Sequence, residues 1–316
     1  MKRTAAVVAI VAMVTGGPAG RCLADAAFLA ERMEAYRTEV LAKAEPAPAA
    51  PAAFPPVLQT VGSGDPPDGP HVTPWRQRVG PAYPGDPWRS VAQDLAELPA
   101  TLWDDTVATF TDGRVLLALG AAGALGAAIN GAGCDDAVAR RTDGHRQLPK
   151  ALDGIGGCLG SPANQFPIAA GLYAIGLLAE DDKLYETSKT LINALAINGA
   201  VNVVLKAAAH TEPPNGGENG WPSGHTSSSF AFATVLYESY GPAVGLPLYA
   251  FAAFVGYERI DARNHDLSDV LSGAVIGTAI GWAVANNHQP RLLGMDVLPM
   301  IDPASGTVGV MLAGRW

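Results

Sequence analysis

From residue 89 to residue 286 the apolar positions recur with helical rather than alternating spacing, and short polar or Gly/Pro breaks divide the run. The pattern predicts helices near 89–110, 114–130, 166–179, 184–209, 225–240, 243–257 and 266–286. Gly, Pro, Asn and Asp stand between them, where they end helices by permissive φ, a missing N–H or a competing side-chain bond. Small residues recur four apart, as in Gly120 with Ala124 and Gly273 with Gly277, a spacing that lets helices approach closely. Ala and Gly are dense and Leu and Phe sparse, so no stretch is a strongly apolar twenty-residue run; this favours a soluble or peripheral bundle over an integral one. The expected fold is all-α, a bundle of about six core helices. Beyond residue 289 the spacing changes. Val297-Leu298, a turn over Asp302-Pro303-Ala304-Ser305-Gly306, and Val308 to Leu312 predict a short β-hairpin-like tail.

The N-terminus reads as an export signal. Lys2 and Arg3 precede an apolar stretch from Ala5 to Val14, and Leu23-Ala24-Asp25-Ala26 offers small residues for cleavage. The expected organisation is a signal peptide over 1–24, a Pro/Ala/Gly-rich segment and linker over 25–94, a helical domain over 95–288 and a tail over 289–316. Such a protein is exported, periplasmic or secreted, with membrane association an open alternative. Once Cys22 leaves with the signal, Cys134 and Cys158 remain, either bridged in an oxidising compartment or as two separate thiols.

Composition narrows the function. Charged residues are 16% of the chain and the formal net charge is −9. Nucleic-acid binding rests on neutralising phosphates with Lys and Arg, so an acidic chain is a poor nucleic-acid partner. There is no Gly-x-x-x-x-Gly-Lys-Ser/Thr loop, and Ser223 does not sit in a Gly-x-Ser-x-Gly elbow. His210, His225 and His265 lack the spacing of a common zinc motif, and neither a metal nor a cofactor is expected.

The chemistry concentrates between Lys206 and Asp269. Pro222-Ser223-Gly224-His225 fixes a turn and opens a helix, whose first N–H groups and positive dipole end suit an anion. His265 and Asp269 are four apart and would share one helix face. A carboxylate there holds one ring nitrogen and leaves the other bare as a nucleophile. Arg259 supplies a charged fork suited to phosphate oxygens, and Lys206 ends an otherwise apolar helix. Each element alone has a plainer reading: a Ser/Thr helix cap, a solvated i,i+4 pair, a lysine reaching water.

Together they resemble the type 2 phosphatidic acid phosphatase and vanadium haloperoxidase superfamily. Its signature reads Lys, six residues, Arg-Pro; then Pro-Ser-Gly-His; then Ser-Arg, five residues, His, three residues, Asp. The chain has the second part whole, keeps Arg259, His265 and Asp269 of the third at the same spacing, and keeps Lys206 and Pro214 of the first. The likeness spans about residues 95–288. It implies that His265 attacks phosphorus to form a phosphohistidine, that His225 protonates the leaving alkoxide, and that Asp269 orients His265. Lys206, Arg259 and the amides of Ser223 and Gly224 would hold the phosphoryl oxygens, and vanadate would inhibit. The implied substrate is a phosphorylated small molecule or a lipid phosphate.

Two positions depart from the signature. Pro213 stands where the first part has Arg, and Glu258 where the third has Ser. Pro213 removes a cation. Glu258 brings a carboxylate to an anion site, either repelling phosphate or pairing with Lys206 or Arg259; His210 and Arg263 are the candidates to replace the missing Arg. Three functions follow: an active phosphomonoesterase, a degenerate relative that binds a phosphorylated ligand without turnover, or a vanadium-dependent haloperoxidase.

Overall fold

The computed structural model describes residues 87–143 and 146–288, together with the backbone of three strands at 291–292, 295–302 and 307–313. The expected signal peptide and everything before residue 87 lie outside the described residues. The fold is all-helical up to residue 287. Nine helices are present among the described residues, against the about six core helices expected. They are α1 (Pro87–Thr111), α2 (Gly113–Gly131), α3 (Cys134–Thr142), α4 (Lys150–Leu159), α5 (Pro162–Ala179), α6 (Asp182–Ala209), α7 (Gly224–Tyr240), α8 (Pro242–Asp261) and α9 (Leu267–Asn287). After them β1 (Arg291–Leu292), β2 (Met295–Asp302) and β3 (Thr307–Ala313) pair antiparallel in sequence order.

Local chemistry sets most boundaries. Pro87, Pro162 and Pro242 open α1, α5 and α8, where a missing N–H costs nothing and the fixed φ already fits the helix. Asp112 caps α2 by accepting from the Arg114 amide at 2.8 Å, and Asp181 caps α6 by accepting from the Leu184 amide at 2.9 Å. α6 stops at His210, whose φ of 47° is left-handed. The apolar pattern missed α3 and α4. α3 is polar, but carries Asp135 and Asp136 in its first turn and Arg140 and Arg141 in its last, the arrangement that complements a helix dipole. α4 contains Gly154, Gly156 and Gly157, which weaken its intrinsic preference for helix.

α6 and α9 form the centre. Leu191 and Leu195 of α6 meet Ile276, Ile280 and Val284 of α9, joined by Val235 of α7, Ala169 of α5 and Ala122 of α2. Each large aliphatic side chain so buried contributes about 1.5–3 kcal/mol. α7 lies on α9 with almost nothing between the backbones. A Cβ on Gly273 would come within 2.7 Å of the Ser223 carbonyl oxygen, and one on Gly281 within 2.7 Å of that of Ala231. At Gly277 it would collide with the Ser227 carbonyl. This glycine stripe sets the α7–α9 separation and so holds the first turn of α7 against the first turn of α9. The serines after His225 serve the same close packing. Ser227 Oγ donates to Asn198 Oδ1 at 2.6 Å on α6, and Ser229 Oγ accepts from Gln165 Nε2 at 3.0 Å on α5.

Two questions left open by the sequence are narrowed here. α2, α6 and α9 are long and apolar enough to cross a membrane, although a soluble bundle was favoured by the sparse Leu and Phe. Only 17% of the most apolar window of α2 is buried, and Leu116 and Leu117 on α2 and Val203 and Val204 on α6 point outward. The apolar surface of these helices is therefore not consumed by the core. Cys134 is a free, exposed thiol, so the bridge to Cys158 is not formed.

Candidate active site

The C-termini of α6 and α8 and the N-termini of α7 and α9 meet at one end of the bundle, bringing the motif residues together. α8 ends in a Schellman motif. The Arg263 amide donates to the Ile260 carbonyl at 2.9 Å and the Asn264 amide to that of Arg259 at 3.0 Å, with Arg263 at a left-handed φ of 59°. The chain then passes through His265 and restarts as α9 in a capping box between Asp266 and Asp269. His265 accordingly lies in the loop before α9, not on a helix face shared with Asp269 as the spacing suggested. Its Nδ1 is nevertheless 3.0 Å from Asp269 Oδ2. The same Oδ2 accepts from the Asp266 amide at 3.2 Å, which fixes the carboxylate while it fixes the imidazole. Asp-x-x-Asp before an apolar run was the sequence signal for this geometry.

Asp269 also ties the two helix starts together. Its backbone carbonyl accepts from the Ser223 amide at 3.1 Å. That corrects one expectation: the Ser223 N–H is committed to Asp269 and is not offered to an anion. Ser223 Oγ, fully buried, lies 3.0 Å from Thr226 Oγ1. The Gly224 and His225 amides, at the first two positions of α7, have no hydrogen-bond acceptor among the described residues.

His225 is the most perturbed group here. Burial, then the charges of Arg259, His265 and Lys206, push its ring down to about 3, against an opposing pull from the Gly157 carbonyl. The ring is therefore neutral at ordinary pH. These three charges act on it although they come from α6, α8 and the α8–α9 loop.

The cations themselves are held. Lys206 Nζ donates to the carbonyls of Asn219 at 2.6 Å and Gly220 at 3.0 Å. Arg259 donates through Nε and Nη2 to the two carboxylate oxygens of Glu258, both at 2.5 Å. Of the roles open to Glu258, the structure gives pairing with Arg259. Glu258 is fully buried. Burial pushes its carboxyl up, while the guanidinium pulls it down and Asp153 adds a smaller upward push. Pro213 packs against Gly220, whose Cβ, if present, would sit 3.1 Å from the Pro213 nitrogen. Neither proposed substitute for the missing Arg is in place. Arg263 Nη1 donates to the Ala139 carbonyl at 3.0 Å on α3, and His210 is the exposed cap of α6.

Sequence reasoning missed the part played by α4. A Cβ on Gly156 would lie 2.9 Å from Glu258 Cγ, and one on Gly157 would lie 2.8 Å from Arg259 Nη2. α4 therefore lies directly over the Glu258–Arg259 pair, at a distance only glycine permits. The Gln147 and Leu148 amides before it donate to the buried Asp261 carboxylate of α8 at 2.8 and 3.1 Å, which anchors its start. Among the described residues no group of three or more His, Cys, Asp or Glu is arranged to hold a metal ion.

Residues 187–292, which contain every motif residue named above, match the family described as the PAP2 superfamily. Over 88 residues the chain is 36% identical to a lipid A 1-phosphatase of Porphyromonas gingivalis, covering 27% of this chain and 20% of that one. Over 72 residues it is 29% identical to a lipid A 4′-phosphatase of Helicobacter pylori, covering 23% of this chain and 36% of that one. It thus spans well under half the length of either relative. Among solved structures, Aquifex aeolicus LpxE matches with a TM-score of 0.40 at 26% identity, over 46% of this chain and 90% of that one. A transmembrane PAP2-type phosphatidylglycerolphosphate phosphatase from Bacillus subtilis matches with a TM-score of 0.45 at 18% identity, over 54% and 92%. Over residues 187–292, and through the motifs they carry, the chain is similar to the PAP2 superfamily.

Proposed function

We propose that this site hydrolyses a phosphate monoester carried on a lipid, by way of a phosphohistidine on His265. The observation that carries the reading is the contact of His265 Nδ1 with Asp269 Oδ2 at 3.0 Å. With Nδ1 bound to a carboxylate, the lone pair of the neutral ring sits on Nε2, the nitrogen left to attack phosphorus. Arg259, Lys206 and the amides of Gly224 and His225 hold the phosphoryl oxygens as charge gathers on them. His225, within the field of both cations and of His265, delivers the proton that the departing alkoxide needs and later takes one from water. The reaction forms the P–N bond, breaks the P–O bond to the alcohol, and then returns the phosphoryl group to water.

A lipid substrate is favoured by the outer surface. Val203 and Val204 are exposed two and three residues before Lys206. An apolar groove of about 380 Å³ between α1, α2 and α6, lined in part by Leu102, Phe110, Leu119 and Val201, reaches Leu205 beside Lys206. Two relatives, matched over 88 and 72 residues, are named as lipid A phosphatases. Membrane association of α2, α6 and α9 follows from the same reading.

The degenerate alternative, a site that binds a phosphorylated ligand without turnover, draws on Pro213 and on the pairing of Arg259 with Glu258. One assay separates the two: phosphate release from p-nitrophenyl phosphate and from phosphatidic acid in detergent micelles, with and without vanadate, beside His265→Ala. Turnover that vanishes in the variant and is blocked by vanadate is the expected result. A folded protein that binds vanadate and releases no phosphate from either substrate is the degenerate relative.

A further inference from the structure

Glu258 stands where the signature has Ser, and its position makes it more than a tolerated substitution. Both its oxygens face the Nε–Nη2 edge of Arg259, the edge that gives a guanidinium its two parallel donors for a phosphate. α4 closes over the pair through Gly156 and Gly157, so the carboxylate is sealed from water and cannot swing out to be solvated. Asp153 of α4, itself paired with Arg146 at 3.1 Å, is the other charged group facing it. Around the phosphate position, the positive Lys206 and Arg259 are therefore matched by two carboxylates, Glu258 and Asp269. The signature, with Arg for Pro213 and Ser for Glu258, would leave a clear positive excess.

We propose that Glu258 is a specificity-determining residue that makes the site select singly charged phosphoryl groups over doubly charged ones. This inference rests on the reading of the site as a phosphate site. A second charge on the ligand would face a buried carboxylate with no compensating cation, whereas a monoanion needs only the Nη1 side of Arg259, Lys206 and the α7 amides. In turnover the selected form is the singly protonated monoester. That form also answers a proton deficit. His225 is held neutral at ordinary pH, so the proton it passes to the leaving alkoxide arrives with the substrate. It moves from the phosphoryl P–OH to His225 and from there to the alcohol, as the P–N bond forms and the P–O bond breaks. Activity then follows the monoanion and rises as pH falls through the ester's second ionisation, near pH 6.

The test is binding, with two phosphonate probes and a readout that does not depend on turnover. Methylphosphonate is a dianion at alkaline pH; its monomethyl ester, larger by one methyl group, is a monoanion. Calorimetric titration of the full-length protein at alkaline pH is expected to give affinity for the monoester at least equal to that for the dianion. In Glu258→Gln the ratio is expected to move toward the dianion by about ten- to a hundredfold, the effect of one charge-assisted contact. A wild-type protein that prefers the dianion tenfold or more overturns the proposal without any variant. So does an unchanged ratio in folded E258Q, which would make Glu258 a structural partner of Arg259 alone. If neither probe binds wild type or variant, the phosphate-site reading fails and this inference falls with it.

Discussion

Two His–Asp pairs sit at opposite ends of α9, about 30 Å apart by the rise of the helix. At one end His265 Nδ1 meets Asp269 Oδ2 at 3.0 Å; at the other His288 Nε2 meets Asp105 Oδ2 at 2.7 Å. By distance and residue type they are the same motif. Their surroundings differ. Asp105, on α1, also accepts from Asn193 of α6 at 2.8 Å and Asn287 of α9 at 2.7 Å, so one carboxylate joins α1 to α6 and to the end of α9. That cluster fastens α1 to the bundle. Asp269 accepts from one side chain and one amide, at a helix start, and its histidine shares a space with Lys206, Arg259 and His225. A His–Asp pair becomes a candidate nucleophile through the cations and free amides around it, and becomes a structural rivet where its carboxylate is saturated by neutral donors.

Substitutions should separate the two ends. His265→Ala is expected to lower kcat/KM for phosphate release by about a thousandfold or more, with little change in the melting temperature. Asp269→Asn should lower it by about a hundred- to ten-thousandfold, and the double variant should be scarcely worse than His265→Ala, because the two residues act as a unit. Asp105→Ala should do the reverse. It strands three buried donors and is expected to cost about 3 kcal/mol, read as a shift in the urea midpoint, while the activity per folded molecule survives. Gly277→Ala tests the link between fold and site. Its methyl would meet the Ser227 carbonyl, so it should cost about 1–3 kcal/mol and also lower activity by moving the start of α7.

The smallest effect is a titration. His225 is held down to about 3 from an ordinary 6.5, so between these values the unfolded chain binds a proton that the folded chain does not. Stability should therefore fall as pH drops from 6.5 toward 3, and His225→Gln should flatten that slope by up to one proton. Urea midpoints measured across this range provide the check. An unchanged slope would mean that the ring is not the neutral, enclosed group described above.

Much of this was legible in the sequence. Seven helices follow from apolar spacing and their caps, because the residues that bury and the residues that stop a helix are both local signals. The histidine–aspartate contact was legible too, since His265 and Asp269 stand four apart in the sequence. What the sequence withheld was pairwise. Glu258 had two cationic candidates and only the folded chain shows that Arg259 takes it. The Ser223 amide was assigned to an anion, whereas a carbonyl forty-six residues later takes it. α4 was invisible because its glycines, which let it lie on the Glu258–Arg259 pair, are the residues that hide a helix from propensity. Membrane-competent length in α2, α6 and α9 was underread because Ala and Gly supply so much of their apolarity.

The most direct measurement is chemical capture of the intermediate. The purified full-length protein would be mixed with a substrate labelled in its phosphate, quenched within milliseconds, and digested for mass spectrometry. The expected result is a phosphoryl group on His265, stable in alkali and lost in acid, and absent from His265→Ala. Phosphate release with the label on another residue, or labelling that persists in His265→Ala, would contradict the assignment of His265 as the nucleophile.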